Sequence, residues 1–307
     1  MSLAEKIVDA RRILAEALAA HGGEHEIVGR AVLFSGGNDS HVLADLMVRE
    51  GVATHAIHAN TTIGIEATRE FVRTRCSVLG LPLLEEVPPA SYAELVEEQG
   101  FPGPAHHFKM YQRLKERGLR QARRRLVADP YKQRVVFLAG RRRAESARRA
   151  DVPEYEREGS VIWVSPLANW TSEDMAEYRG LVDLPRNEVA DALGMSGECL
   201  CGAFAEPGEL ERIEALHPDV GQEIRALEVR LLEAGKVPEE RCMWGWGAYR
   251  DGGPASAVGP LCSSCDFRSD PSKRGEVSER VREAYARIEA RRSGLSNQPA
   301  LFDVESV

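Results

Sequence analysis

One stretch constrains this chain more than any other. A β-prone run, Arg30 to Phe34, leads without a spacer into Ser35-Gly-Gly-Asn-Asp-Ser40, and His41 to Arg49 continues as a helix. Strand, glycine-rich loop and helix in that order make a phosphate cradle, because amides at the helix start point toward an anion. Gly36 and Gly37 allow close backbone approach, and Ser35 and Ser40 add hydroxyl donors. Asp39 is unusual beside phosphate, since two anions repel unless a cation bridges them. It is expected to cap the helix or to hold Mg²⁺. The loop matches neither Gly-x-x-x-x-Gly-Lys-Ser nor Gly-x-Gly-x-x-Gly.

The same alternation continues downstream. Ala53–His58, Leu83–Val87, Val135–Ala139 and Val161–Val164 read as further strands, and Leu3–Ala20, Ile65–Leu79, Tyr92–Glu98 and Phe108–Val127 as helices. The expected fold class is α/β, a doubly wound, mostly parallel sheet of about five strands. Ligands of such sheets sit beyond the carboxyl ends of the strands. Both Ser35–Ser40 and Gly140-Arg-Arg-Arg143 follow a strand directly, so both are expected at one crevice. After Pro166 the pattern turns helical, with a capping box at Thr171 and Asp174 and two helices flanking His217-Pro218. The expected division is an α/β domain over 1–180, a helical cysteine-rich extension over 181–292 and a flexible tail over 293–307.

Charge and cysteines narrow the function. The chain is 43% hydrophobic and 29% charged, and no apolar run approaches a membrane span. Met1 to Ala20 is charged throughout and does not read as a signal peptide, so a cytoplasmic location is expected. The net charge of −8 hides a basic segment, Lys109–Arg149, with 15 Lys/Arg against three acids. A polyanionic ligand is the expectation there, either nucleotide phosphates or nucleic acid. Five of the six cysteines follow residue 198: Cys199, Cys201, Cys242, Cys262 and Cys265. That clustering points to a thiolate metal site, either tetrahedral Zn²⁺ or a [4Fe–4S] cluster. Cys76, alone on a helix, reads as packing.

The loop resembles the PP-loop of the N-type ATP pyrophosphatases, whose fold is of the adenine nucleotide α-hydrolase type. More narrowly, the chain resembles the phosphoadenosine phosphosulfate (PAPS) reductase family. Four segments carry the likeness: Ser35–Ser40; Asn60-Thr-Thr-Ile-Gly64 with Glu66, Thr68 and Phe71; Gly140–Ser146 with Arg148; and Ser165–Thr171 through Asp174 and Tyr178. They span roughly residues 30–205.

The resemblance implies that Ser35, Gly36, Gly37, Asn38, Asp39 and Ser40 bind the phosphates of ATP with Mg²⁺. It implies that His58, Asn60 and Thr61 lie near adenine and ribose. Gly140, Arg142, Arg143, Glu145 and Ser146 would close over the phosphates or the acceptor. The implied activity is cleavage of ATP to AMP and pyrophosphate, with adenylation of an acceptor for sulfur transfer to nucleic acid. Transfer RNA thiolation, DNA phosphorothioation and a CRISPR or mobile-element accessory role are its forms, with nucleic acid or a sulfur-carrier protein as partner. The likeness favours [4Fe–4S] over zinc, with Cys242, Cys262, Cys265 and either Cys199 or Cys201 as ligands. Sulfate-reducing members use a cysteine near the C-terminus in a Glu-Cys-Gly setting, and residues 266–307 contain no cysteine. Sulfonucleotide reduction and a non-catalytic nucleotide-binding protein with a structural metal are the alternative readings.

Overall fold

The computed structural model describes residues 1–145, 149–205 and 208–246. Its centre is a six-stranded sheet ordered β3-β2-β1-β4-β6-β5. The strands are β1 (Glu26–Leu33), β2 (His55–Ala59), β3 (Leu83–Glu86), β4 (Gln133–Leu138), β5 (Tyr155–Glu158) and β6 (Val161–Val164). All neighbours pair parallel except β5, which runs antiparallel to β6 at one edge.

Strand parity sorts the core. Val32, Val136, Leu138, Ile162 and Val164 turn to the face covered by α1 (Leu3–His21), α2 (Asn38–Arg49) and α7 (Ser172–Val182). Ala31, Leu33, Val135, Phe137 and Trp163 turn to the other, where Leu119 and Ala122 of α6 (Arg117–Leu126) pack. Successive side chains of a strand point to opposite faces, so each parity class meets its own helices. Trp170 and Tyr178 are fully enclosed on the first face, and each large apolar side chain so buried contributes about 1.5–3 kcal/mol. The doubly wound, mostly parallel α/β architecture expected from the sequence is present.

Two features differ from expectation. The sheet has six strands, because Tyr155-Glu-Arg-Glu158 pairs at an edge where apolar alternation is not required. The helix expected over Phe108–Val127 is continuous in path but not in winding. It runs as α5 (His107–Tyr111), a π turn (Gln112–Glu116) and α6. The wider turn lets one helix serve two cores: Met110 and Leu114 join one cluster, Leu119 and Ala122 another.

The first of those clusters is shared across the chain. Ile63, Tyr92 and Phe101 pack with residues of α8 (Glu188–Leu193), α9 (Glu209–Leu216) and α10 (Pro218–Ala234), and with Cys201, Cys242 and Trp244. Tyr92, in α4 (Tyr92–Gln99), fixes this union by donating its hydroxyl to the Cys201 carbonyl at 2.9 Å. α4 itself starts on a Ser91/Glu94 capping box. Among the described residues no helix is long and apolar enough to cross a membrane.

Candidate functional site

The strand order reverses between β1 and β4, and the loops leaving these two strands meet at that switch point. Ser35, Gly36 and Gly37 follow β1, and Gly37 is the N-cap of α2. Gly36 adopts φ +79°, a left-handed conformation, and an added Cβ would lie 2.5 Å from Thr68 Cγ2. Ser40 Oγ donates to the Gly37 carbonyl at 2.8 Å and lies 3.3 Å from Ser35 Oγ. The loop after β4 presses on this turn, since a Cβ on Gly140 would sit 3.4 Å from Asp39 backbone atoms.

Asp39 does not cap α2, whose N-cap makes no side-chain hydrogen bond. Its carboxylate instead takes Arg142, which donates from Nε at 2.8 Å and Nη2 at 2.7 Å to Oδ2. Arg142 is buried, and its Nη1 reaches the Trp170 carbonyl at 3.5 Å. Arg143 turns away from the loop, to Val152 O at 3.0 Å and Asn169 Oδ1 at 2.6 Å. The structure therefore separates the two arginines assigned jointly to phosphate contact, because Arg143 is occupied by the chain around Asn169. Arg141 is buried against Ser165, Glu156 and Trp163. Ser146 lies outside the described residues.

Glu145 is enclosed and ion-paired to Arg149. Burial pushes its carboxyl up to about 7; the Arg149 charge opposes this and the Asp39 charge adds to it. Behind the loop, His41 stacks on Phe34 and accepts from Arg75 Nε at 3.0 Å. Burial, then the Arg75 charge, brings it down to about 4, so it is neutral near pH 7.

Several residues around the loop were not anticipated. Asn187 donates to the Gly36 carbonyl at 2.8 Å, and Asn38 donates to Asp191 at 2.8 Å. Thr68 reaches the Ser196 carbonyl at 2.7 Å. The segment 186–198 thus closes one wall of the loop. Its visible sign in the sequence was Asn187 as a helix cap, its side chain accepting from Val189 N. Arg186 reaches the loop through Asp191, which also takes Asn38, and Arg179 feels the Asp39 charge. Arg179 is lowered first by burial and then by the Arg186 charge, with Asp39 opposing and Arg142 adding to the fall. Arg186 is held by Asp191 at 2.7 Å. Arg142 and Arg186 thus place two guanidinium groups beside the glycine-rich turn, each paired with a carboxylate.

His58 and Thr61 serve a different purpose from nucleotide contact. Both are fully buried and hold Glu198: His58 Nε2 lies 3.1 Å from Glu198 Oε2, and Thr61 N donates to Oε1 at 2.7 Å. Thr61 Oγ1 also bonds the Glu198 carbonyl. Burial alone would lower His58, but the Glu198 hydrogen bond and charge outweigh it and the group is raised. The family resemblance implied a place near adenine and ribose for both; His58 lies within β2 and Thr61 just after it, and both side chains point inward instead. Asn60 pairs with Glu85 at 2.9 Å and accepts from Thr62 N at 2.9 Å, shaping a turn where Thr62 has φ +64°.

Of the five clustered cysteines, Cys262 and Cys265 lie outside the described residues. Cys201 and Cys242 are buried in one hydrophobic cluster with Trp244, and Cys199 packs against it half-buried. Among the described residues no group of three or more His, Cys, Asp or Glu is arranged to hold a metal. Trp244 donates to the Leu200 carbonyl at 2.9 Å and packs on Gly202. This brings the Cys199–Cys201 turn and the Cys242 turn together. Cys76 is buried packing, its thiol pushed up to about 12 by burial.

The family model described as the phosphoadenosine phosphosulfate reductase domain matches residues 29–195. An adenosine 5'-phosphosulfate reductase of Chelativorans sp. (strain BNC1) is 30% identical over 185 residues, 60% of this chain and 73% of that protein. An adenosine 5'-phosphosulfate reductase of Mesorhizobium japonicum is 33% identical over 104 residues, 32% of this chain and 41% of that protein. The crystal structure of a PAPS reductase from Candida auris in its phosphate complex aligns at a TM-score of 0.42 and 19% identity. That alignment covers 59% of this chain and 83% of the other. The family match takes in the whole loop, the β4 arginines and Asn187, and on it this chain belongs to the phosphoadenosine phosphosulfate reductase domain family.

Proposed function

We propose that this chain is a sulfonucleotide reductase that binds adenosine 5'-phosphosulfate or its 3'-phosphorylated form at the Ser35–Ser40 loop. The observation that carries the reading is the placing of two guanidinium groups at the loop within the family-matched segment, Arg142 on Asp39 and Arg186 on Asp191, which also takes Asn38. Their charge and the α2 amides would hold the phosphosulfate group. A cysteine thiolate then attacks the sulfonate sulfur. The S–O bond to phosphate breaks and AMP, or adenosine 3',5'-bisphosphate from the 3'-phosphorylated substrate, leaves with the electron pair, giving a thiosulfonate on the enzyme. An external dithiol supplies two electrons: one thiolate takes the cysteine sulfur, sulfite departs, and the resulting mixed disulfide resolves to an oxidised dithiol and free cysteine. Cys199, half-buried beside the anchored Glu198, is the described cysteine best placed for this role.

A second reading is favoured by Asp39, which stays 28% exposed at the loop despite its pairing with Arg142. A carboxylate beside phosphate suits a Mg²⁺-bridged triphosphate better than a lone phosphosulfate. In that reading ATP is cleaved to AMP and pyrophosphate. Mg²⁺ would be held by Asp39 and would neutralise phosphate charge. A [4Fe–4S] cluster or Zn²⁺ held by Cys201, Cys242, Cys262 and Cys265 would stabilise the cysteine-rich segment.

The test uses anaerobically purified full-length chain with each nucleotide. Sulfite with AMP from adenosine 5'-phosphosulfate, or with adenosine 3',5'-bisphosphate from its 3'-phosphorylated form, in the presence of a dithiol and abolished by Cys199→Ser, supports the first reading. AMP and pyrophosphate from ATP and Mg²⁺, without sulfite, support the second. ADP and phosphate from ATP, with no sulfite from either sulfonucleotide, would sink both.

A further inference from the structure

The helix from His107 to Leu126 presents two different faces. Met110, Leu114, Leu119 and Ala122 are buried in the core. Lys109, Arg113, Arg117, Arg120 and Arg124 recur every three or four residues on the outer side. That spacing keeps them on one face, along about 22 Å at the α-helical rise. Arg120 is paired with Glu116, and Arg113 lies 3.6 Å from Glu98. Among the described residues Lys109, Arg117 and Arg124 make no salt bridge.

At its N-terminal end this stripe enters a cleft of about 480 Å³ between the end of α4, the start of α5 and the turn after α10. Lys236 and Arg241 come from that turn to join His106, Lys109 and Arg113, and the one carboxylate in the lining is Glu98. Lys236 and Arg241 also lack a salt bridge among the described residues. Arg241 Nε and His106 Nδ1 are buried with no hydrogen-bond partner there. Burial, then the charges of Arg241 and Lys109, keeps His106 low.

We propose that this cleft and the cationic stripe leading from it bind the phosphodiester backbone of a nucleic acid without reading its sequence. The length of the track decides against a mononucleotide, which would engage only one end of it. The lining decides against an acidic protein. Apart from Val237 and Pro238 it is polar or charged, and it lacks the apolar or aromatic anchor on which protein interfaces centre. Lys and Arg along a helix supply the contacts that fix a phosphate backbone. The proposal stands whichever nucleotide the Ser35–Ser40 loop uses.

The experiment is fluorescence anisotropy of the full chain with labelled oligo(dT), oligo(U) and a mixed-sequence DNA duplex, from about 50 to about 200 mM salt. Binding is expected to weaken steeply with salt, by a slope of about 0.7 per phosphate on a single strand and about 0.9 on a duplex. The preferred strand form is read from the three probes. Lys109→Gln/Arg113→Gln/Lys236→Gln should lose about tenfold or more in affinity and flatten the salt slope. Glu98→Gln should tighten binding. The triple variant should keep its melting temperature and its turnover of small nucleotides, which separates this site from the loop. Unchanged affinity and slope in the triple variant would overturn the proposal. So would displacement of the oligonucleotides by polyglutamate as effectively as by unlabelled oligonucleotide, since that outcome marks an acidic-polypeptide site. Absence of binding at the lowest salt overturns it outright.

Discussion

Arg142 and Asp39 are joined through a single oxygen: Nε and Nη2 of the arginine both lie within 2.8 Å of Asp39 Oδ2. This contact fastens the loop after β4 to the first turn of α2, and both partners border the space a phosphate would enter. Arg142→Lys keeps the charge but loses the planar two-nitrogen contact. Charge-assisted hydrogen bonds of this kind contribute about 1.5–3 kcal/mol. Nucleotide affinity measured by calorimetry should therefore fall about tenfold in Arg142→Lys and further in Arg142→Ala. Equal affinity in wild type and Arg142→Lys would mean the guanidinium geometry is irrelevant to the ligand.

Arg179 gives a cleaner separation of binding from stability. Burial and the charge of Arg186 both disfavour its cationic form, and Asp39 offsets only part of this. Removing a charge held under such strain should cost the fold nothing while weakening the anion site. Arg179→Gln is expected to melt at or above the wild-type temperature and to bind nucleotide more weakly, with a shallower salt dependence. A lower melting temperature with unchanged affinity would assign Arg179 to the scaffold instead.

Gly36 should tolerate no side chain. Its φ of +79° is strained for an L-residue, and a methyl group would collide with Thr68 Cγ2 at 2.5 Å and crowd Val72 Cγ2 at 3.2 Å. The strain alone is of order 1–3 kcal/mol, and overpacking adds to it. Gly36→Ala should lower the chemical-denaturation midpoint by the equivalent of about 2 kcal/mol or more. The same change at Gly51, also at positive φ but with nothing within 4 Å, should cost less. If both variants are equally stable, the contact with Thr68 is not limiting.

Glu198 is the hidden joint of the site. It holds His58 and Thr61, and Arg69 Nε lies 3.5 Å from its carboxylate. Breaking one partner out of a buried ionic network costs about 3–5 kcal/mol. Glu198→Ala should approach that loss in equilibrium unfolding, and Glu198→Gln, which retains an acceptor and the shape, should lose less. A mild effect of Glu198→Ala would show that the turn preceding Cys199 is held by backbone contacts alone.

These residues also mark how far the sequence could be read. The sheet, its two helical layers and the Ser35–Ser40 loop follow from local patterns: apolar runs, glycines and caps such as Thr171/Asp174. The edge strand Tyr155–Glu158 was invisible because an edge with three charged residues has no alternation to detect. Arg142 was recognised from its place after β4, but Arg143, its neighbour, points to Asn169; adjacent residues of a loop share position without sharing direction. Asn187 and Glu198 reach Gly36 and Thr61 from 151 and 137 residues away, as Asn38–Asp191 and Arg142–Asp39 do across 153 and 103, and no local spacing announces such contacts.

The Glu145 carboxyl makes the site responsive to pH. Burial raises it from 4.5 to about 7, with Arg149 opposing and Asp39 reinforcing. In the folded chain it keeps its proton to about pH 7, whereas in the unfolded chain it releases it near 4.5. Its stabilising effect is therefore complete below about pH 4.5 and is lost as pH rises through about 7, because the unfolded state then binds fewer protons than the native one. Glu145→Gln cannot ionise, so its stability relative to wild type should climb across that window and level off above it. Parallel urea titrations of the two proteins at intervals from pH 4.5 to 8 would read the difference directly. A difference that stays constant with pH would show that Glu145 is already ionised in the native state, held by Arg149 as an ordinary ion pair.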